Sequence, residues 1–378
     1  MLASNKPQQD ALTEPVIQNG VCYVLFAYDA ARSINLDEAE RQIQEMTKRE
    51  TIKHKRRAPS YFEYQPPPVR IMHEIEPVNL GRYRIDSSVD LLAYDFGAVA
   101  VLYRIPFQGS IEKLLQLSQE LYDNDFLLTD SRLRADQLLK GMGHSVSDAG
   151  IANVVEDYVI YHVESFVSPL DLNALTSTKA QWIAKILRAE EQPLSSQEVE
   201  DALAAKMSFG LDDMTIVDWN AALIVDREGD DIRAVLEFAN VELLEMRYLD
   251  QKLDRALDRA YEALSRRSWN LLRIFGYYSA DLRRVAELQV DNALLFEGVN
   301  NTLKLLGDQY LARVYALVNR RFHIGEWDTS ILRKLQTLES IYEKISDQVT
   351  NRRMEILEWV IIFLIAASIL LELIRYRP

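Results

Sequence analysis

The chain has 378 residues, 48% of them hydrophobic and 26% charged, and carries a formal net charge of −14. Such a length leaves room for two or three domains with a sizeable core, and the acid excess excludes a whole-molecule polyanion binder while leaving local basic patches free to act. Cys22 is the only cysteine, which excludes an internal disulfide and a cysteine-rich zinc site and fits a reducing compartment.

The opening "MLASNKPQQDALTEP" lacks the basic start and apolar core of a secretory signal, and its Asp10 and Glu14, without arginine, argue against a mitochondrial presequence. Residues 1–19 read as a polar tail. "VCYVLFAYDA" is a β-branched and aromatic run that predicts a strand, and "NLDEAERQIQEM" has helical spacing at Leu36, Ala39, Ile43 and Met46. "VDLLAYDFGAVAVLYRIPF" predicts two strands joined by a turn near Asp95–Gly97. "SIEKLLQLSQELYD" predicts a helix capped by Ser110, with Ile111, Leu114, Leu115 and Leu117 on one face. "VVEDYVIYHVESFV" predicts a strand, "LNALTSTKAQWIAKILRAE" a helix, and "SSQEVEDALAAKMSF" another with a capping box from Ser195 to Glu198. "MTIVDWNAALIVD" reads as one closing strand. Interleaved strands and helices predict an α+β (or α/β) domain over residues 20–228.

Residues 229–353 read as long antiparallel helices and a coiled-coil stalk. Met246, Leu249, Leu253, Leu257, Tyr261 and Leu264 form one apolar face, with charges on the rest. A second helical period follows from a candidate cap at Ser279. "FHIGEWDTS" reads as a break, with Asp328 or Ser330 capping the last helix. Beyond it, Ile331, Leu335, Leu338, Tyr342, Ile345 and Val349 alternate in steps of four and three. The next step lands on Arg352, and the seam resumes at Ile356, Trp359, Phe363, Ala366, Leu370 and Leu373. Such a heptad seam predicts coiled-coil packing, and a helical hairpin within one chain would use the same residues.

The chain closes on "MEILEWVIIFLIAASILLELIRYRP", with thirteen uncharged residues from Trp359 to Leu371 between Glu358 and Glu372. A spanning helix needs about 20 mostly apolar residues to cross roughly 30 Å of hydrocarbon. With Ile365 at the centre and a rise of about 1.5 Å per residue, the two glutamates lie about 10 Å out, within snorkelling reach of the headgroups. Arg352 and Arg353 fall beyond one edge, Arg375 and Arg377 beyond the other, and Tyr376 in the aromatic belt. Residues 354–374 therefore read as one transmembrane helix, anchored by Trp359, Phe363, Leu364 and Leu370, before a basic tail over 375–378. The competing reading is a buried helix in a soluble oligomer. Glu355, Glu358 and Glu372 form a polar stripe, which on a membrane helix faces protein or water. Self-association is the simpler meaning of that stripe, a lined pore the sharper one.

"KRETIKHKRR", with Lys48, Arg49, Lys53, Lys55, Arg56 and Arg57, sets six cations beside one acid in an acidic chain. It reads as a contact for lipid headgroups, an RNA backbone or an acidic partner, or as a solvated loop. His162 and Glu164 share a strand face, and a metal site would require His73 to meet them in space. "KGMGHSVSD" has glycines but no P-loop lysine and reads as a mobile turn; Asp123, Asp125, Asp230 and Asp231 read as loop and cap residues. The sequence carries no G-x-S-x-G elbow or other catalytic constellation, and no cofactor is expected.

The segments "DFGAVAVLY", "VEDYVIYHVES", "DWNAALIVD" and "LEFANVELLEMRYLDQKLDRALDRAYEAL", in that order before an apolar C-terminal helix, resemble the "required for meiotic nuclear division" family over about residues 20–375. That resemblance implies an oligomeric inner-membrane protein, whose mitochondrial members support translation of membrane proteins. It transfers no catalytic residues. The expected function is a membrane-anchored oligomeric scaffold or tether, with the mixed domain in the cytosol at an inner (cytoplasmic) membrane. The alternatives are an enzyme with a nucleotide- or metal-binding site in the mixed domain, and a small oligomeric channel. Membrane lipid and further copies of the chain are the expected partners; by resemblance alone, so is a protein or RNA of the translation or membrane-biogenesis machinery.

Overall fold

The computed structural model describes residues 15–47, 67–265 and 309–375. The first apolar run makes β1 (Val16–Asp29). Its alternation sends Cys22, Val24, Phe26 and Tyr28 to one face and Tyr23, Leu25 and Ala27 to the other, all buried. β2 (Ser33–Ile34) and α1 (Leu36–Thr47) follow. Next come β3 (Val69–Glu74), the short hairpin β4 (Asn79–Leu80) and β5 (Tyr83–Arg84), then β6 (Ser88–Ala93) and β7 (Ala98–Ser110). Gly97 makes the β6–β7 turn at φ +105°, where a Cβ would sit 1.9 Å from the Ala31 carbonyl oxygen; only glycine fits. α2 (Ile111–Leu121), α3 (Asp125–Met142), β8 (Val146–Ser147) and β9 (Val155–Phe166) lead to α4 (Leu172–Thr178), α5 (Ala180–Arg188) and α6 (Ser196–Ala202). β10 (Lys206–Met207), β11 (Met214–Val217) and β12 (Ala221–Val225) precede α7 (Asp230–Ser265), α8 (Gln309–Arg321) and α9 (Ile324–Arg375).

Eight strands form one sheet in the order β10-β11-β12-β9-β1-β7-β6-β3. Long β1 lies inside it, antiparallel to both β7 and β9, and only the β9–β12 pair is parallel. That parallel pair needs a crossover, which α4 to α6 supply. One sheet face packs on α1, α2, α3 and α5 through Val24, Phe26, Val101, Leu114, Leu117, Leu138 and Ile186. The first half of α7 covers the opposite face, where Arg233 lies 4.7 Å over the Tyr23 ring. Phe322, just past α8, meets Tyr158 of β9 edge-on at 5.5 Å.

The chain divides into two compact units, Met1–Tyr248 with Leu294–Gly325, and Leu249–Ala293 with Glu326–Pro378. In the second unit, Leu249, Leu253, Ala256 and Ala260 of α7 are buried, as are Ile331, Leu335, Leu338, Tyr342 and Ile345 of the heptad seam. Lys334 joins the two helices through Asp250 at 2.7 Å and Asp254 at 2.5 Å. The seam is thus covered within one chain as far as Ile345.

Several predicted elements change shape. Ser110 sits at the α2 N-cap position, but its side chain makes no cap hydrogen bond. The helix predicted over Leu172–Glu190 breaks at Lys179 into α4 and α5. The single strand predicted over Met214–Asp226 is the β11–β12 hairpin. The last helix starts at Ile324, because His323 turns left-handed at φ +51°, so Asp328 and Ser330 lie inside α9 rather than capping it. Ser195 caps α6 as expected, accepting the Glu198 N–H at 3.2 Å, while the Glu198 carboxylate turns to Arg188. Ser279 lies outside the described residues.

Candidate functional site

α9 runs for 52 residues without interruption. Its stretch Met354–Leu371 is long and apolar enough to cross a membrane, and none of it is buried. Trp359 is 71% exposed, Phe363 72%, and Leu364 and Leu370 61% each. Glu355 and Glu358 are exposed on the same helix. Arg352, Arg353, Glu372 and Arg375 belong to α9 as well, with side chains outside the description, and Arg377 lies beyond the described residues. So does the whole basic run Lys48, Arg49, Lys53, Lys55, Arg56 and Arg57.

The histidines do not converge. His73 on β3 and His162 on β9 are separated by three strands, a span of roughly 19 Å at about 4.8 Å per strand. Arg70 and His162 point to the α7 face of the sheet, and His73, three residues from Arg70 on β3, points to the other face. Among the described residues, no group of three His, Cys, Asp or Glu side chains is placed to hold a metal ion. His162 is instead a packed residue. Its Nε2–H donates to the Asp226 carbonyl at 2.9 Å, and a Cβ on Gly229 would lie 2.7 Å from that nitrogen. Cys22 is fully buried, and burial pushes its thiol pKa well up, away from nucleophilic use. "KGMGHSVSD" is folded: it ends α3, forms a 3-10 turn at Gly143–Ser145 and pairs β8 with β2. Asp125 opens α3 behind the Asn124 cap, and Asp230 opens α7.

What the sequence reading missed is a polar row beneath α7. Arg70, Asp90, Arg104, Tyr23 and His162 come from the five adjacent strands β3, β6, β7, β1 and β9. Arg70 binds Asp90 at 2.9 Å and also Glu237 of α7. Glu237 takes a second guanidinium from Arg233, which binds Asp230 at 2.9 Å. The Tyr23 ring lies under Arg233, 5.8 Å from the Arg104 guanidinium carbon and stacked at 6.4 Å on His162. Burial alone would raise the Glu237 pKa, but the Arg233 and Arg70 charges outweigh it and hold the carboxyl below its ordinary value. Three arginines, Arg70, Arg104 and Arg233, face three carboxylates, Asp90, Asp230 and Glu237, and all but Arg104, whose buried Nε has no hydrogen-bond partner among the described residues, are held in ion pairs. That is a load for folding, not a reactive centre.

Two further carboxyls on this face are poised differently. Burial raises Glu156 to about 7 despite its Arg247 partner. Burial likewise raises Glu242 to about 7, although Tyr315 of α8 donates to it at 2.5 Å. An exposed carboxyl titrates near 4.5. The folded protein therefore holds the Glu242 proton between about pH 4.5 and 7 while the unfolded chain releases it. The stability this gives is complete below pH 4.5 and declines as pH rises towards 7, at about 1.4 kcal/mol per unit. Glu242→Gln keeps an acceptor for Tyr315 and removes the titration. Urea unfolding should find the variant more stable than the parent at pH 8, by roughly 3 kcal/mol, and no more stable at pH 4.5.

Residues 19–231 match the family described as "Uncharacterized protein MJ0711, N-terminal domain". The chain belongs to this family. "Uncharacterized protein MJ0711" of Methanocaldococcus jannaschii is 24% identical over 267 residues, spanning 70% of this chain and 74% of its own length. No solved structure matches the chain. The family match, over residues 19–231, covers the sheet and stops at the first turn of α7, so α9 lies outside that family match. It overturns the resemblance to the "required for meiotic nuclear division" family, which was the sole basis for a link to translation machinery. The segments behind that resemblance are β-branched strands and an amphipathic helix, patterns that burial imposes on unrelated folds alike.

Proposed function

We propose that this protein is a non-enzymatic, membrane-anchored scaffold or tether, held to an inner (cytoplasmic) membrane by residues 354–374 with the mixed domain on the cytosolic side. One observation carries the reading: of eighteen consecutive residues, Met354–Leu371, near the end of a continuous helix, none is buried. An apolar surface of that size is costly in water and belongs against lipid or protein. The seam of α9 is covered within the chain up to Ile345. Self-association is therefore assigned to the segment beyond it, where Glu355 and Glu358 would face a second copy rather than lipid. Coiled-coil pairing between chains would begin only past that point.

Membranes from cells making the full chain test this reading. The protein should stay in the pellet through an alkaline carbonate wash and leave it only with detergent. Release by carbonate alone would overturn the anchor.

A further inference from the structure

One concavity of the mixed domain has a chemistry that the anchor does not use. A cavity of about 670 Å³ opens between the β4–β5 hairpin, the start of β6, the end of β7 and α2. Pro77, Ile85, Pro106 and Phe107 give it an apolar lining, with Ile85 and Phe107 buried. Arg82, Arg84 and Lys113 line it with charge and are exposed. Among the described residues none of the three makes an ion pair, whereas Arg70, Arg188, Arg233 and Arg321 are each bound to carboxylates. The one acid in the lining, Asp86, accepts the Ser87 N–H at 2.8 Å.

Three cations around an apolar floor, in a chain of 43 basic and 57 acidic residues, are not accounted for by average composition. The frame that carries them is fixed. Tyr83 donates its hydroxyl to the Lys113 carbonyl at 2.7 Å, tying the hairpin to the first turns of α2. Arginine forks match phosphate oxygens in pairs, and lysine adds a point charge. The volume falls within the range of small-molecule sites, about 300–1,000 Å³. We propose that this cleft binds a phosphate ester carrying an apolar or flat group, with Arg82, Arg84 and Lys113 on the phosphate and the Ile85–Phe107 floor under the rest. This goes beyond the scaffold reading and does not depend on the anchor.

Such an ester has two sources, a soluble nucleotide or an anionic lipid headgroup. Calorimetry on the full chain in neutral detergent separates them, with inorganic pyrophosphate, ATP and dihexanoyl phosphatidylglycerol below its micelle concentration as the three probes. Saturable binding of ATP identifies the soluble source, and of the lipid the headgroup; either sustains the proposal, whereas binding of pyrophosphate alone would overturn the ester assignment. Combining Arg82→Ala, Arg84→Ala and Lys113→Ala should weaken that binding by roughly tenfold for each cation lost. The melting temperature should not move, because all three side chains are exposed. If the triple variant fails to fold, Arg84→Gln and Lys113→Gln singly carry the same test. Absence of saturable binding by every probe, or binding undiminished in the variants, overturns the site.

Discussion

A chain ending at Arg353 should remain in the aqueous layer of a density gradient while the full chain rises with lipid vesicles. Eleven of the eighteen residues from Met354 to Leu371 are Leu, Ile, Val or Phe. At about −0.3 to −0.6 kcal/mol each near the helix centre, they favour insertion by roughly 3–6 kcal/mol. Glu355 and Glu358 oppose it at one end and Glu372 at the other, near the edges, where the cost of a charge is small. In the cut chain α9 still carries the covered residues from Ile331 to Ile345, and the deleted stretch Met354–Leu371 has no buried residue. Loss of flotation then reports the anchor and not misfolding. Equal flotation of both chains would place the lipid contact elsewhere.

Glu237→Ala should cost about 3–5 kcal/mol of folding stability, which urea unfolding in neutral detergent would read directly. Its side chain is 2% exposed and bridges Arg70 and Arg233, themselves 14% and 12% exposed. Deletion leaves two guanidiniums near each other with Asp90 and Asp230 only, and the exposed Asp230 screens weakly. Asp254→Ala is the contrast. It also removes an ion-pair partner, from Lys334, but Asp254 is 55% exposed, and the expected loss is under about 1 kcal/mol. Similar small losses for both would refute the weight placed on the row beneath α7.

How far the sequence disclosed this molecule depends on how local each signal is. The long apolar C-terminal helix was legible because hydropathy needs only neighbouring residues. β1, β7 and β9 were legible as continuous β-branched runs. α3 was missed for a definite reason: its core face reads Leu127, Ser131, Ala135, Leu138 and Met142, and Ser131 breaks the apolar stripe. The serine is buried because its hydroxyl meets Tyr28 at 2.7 Å and the Leu128 carbonyl at 2.9 Å, partners invisible from nearby sequence. The β11–β12 turn hides for a similar reason. It has neither Gly nor Pro, and Asp218 shapes it by accepting the Trp219 N–H at 2.8 Å and binding Arg188 and Arg321. The row beneath α7 joins residues 167 positions apart, which no periodicity can reveal. The cationic cleft is likewise assembled from three short segments, each unremarkable alone.

The last helix has a mechanical consequence. From Glu326 to Arg375 it contains neither glycine nor proline, so it has no built-in joint to absorb bending. Thirty residues precede Met354 in that helix, a shaft of about 45 Å. With the apolar end set in lipid as proposed, its rolling or tipping would be felt undamped at Lys334. Changes in bilayer thickness could thereby be converted into torque on a protein surface tens of ångströms away.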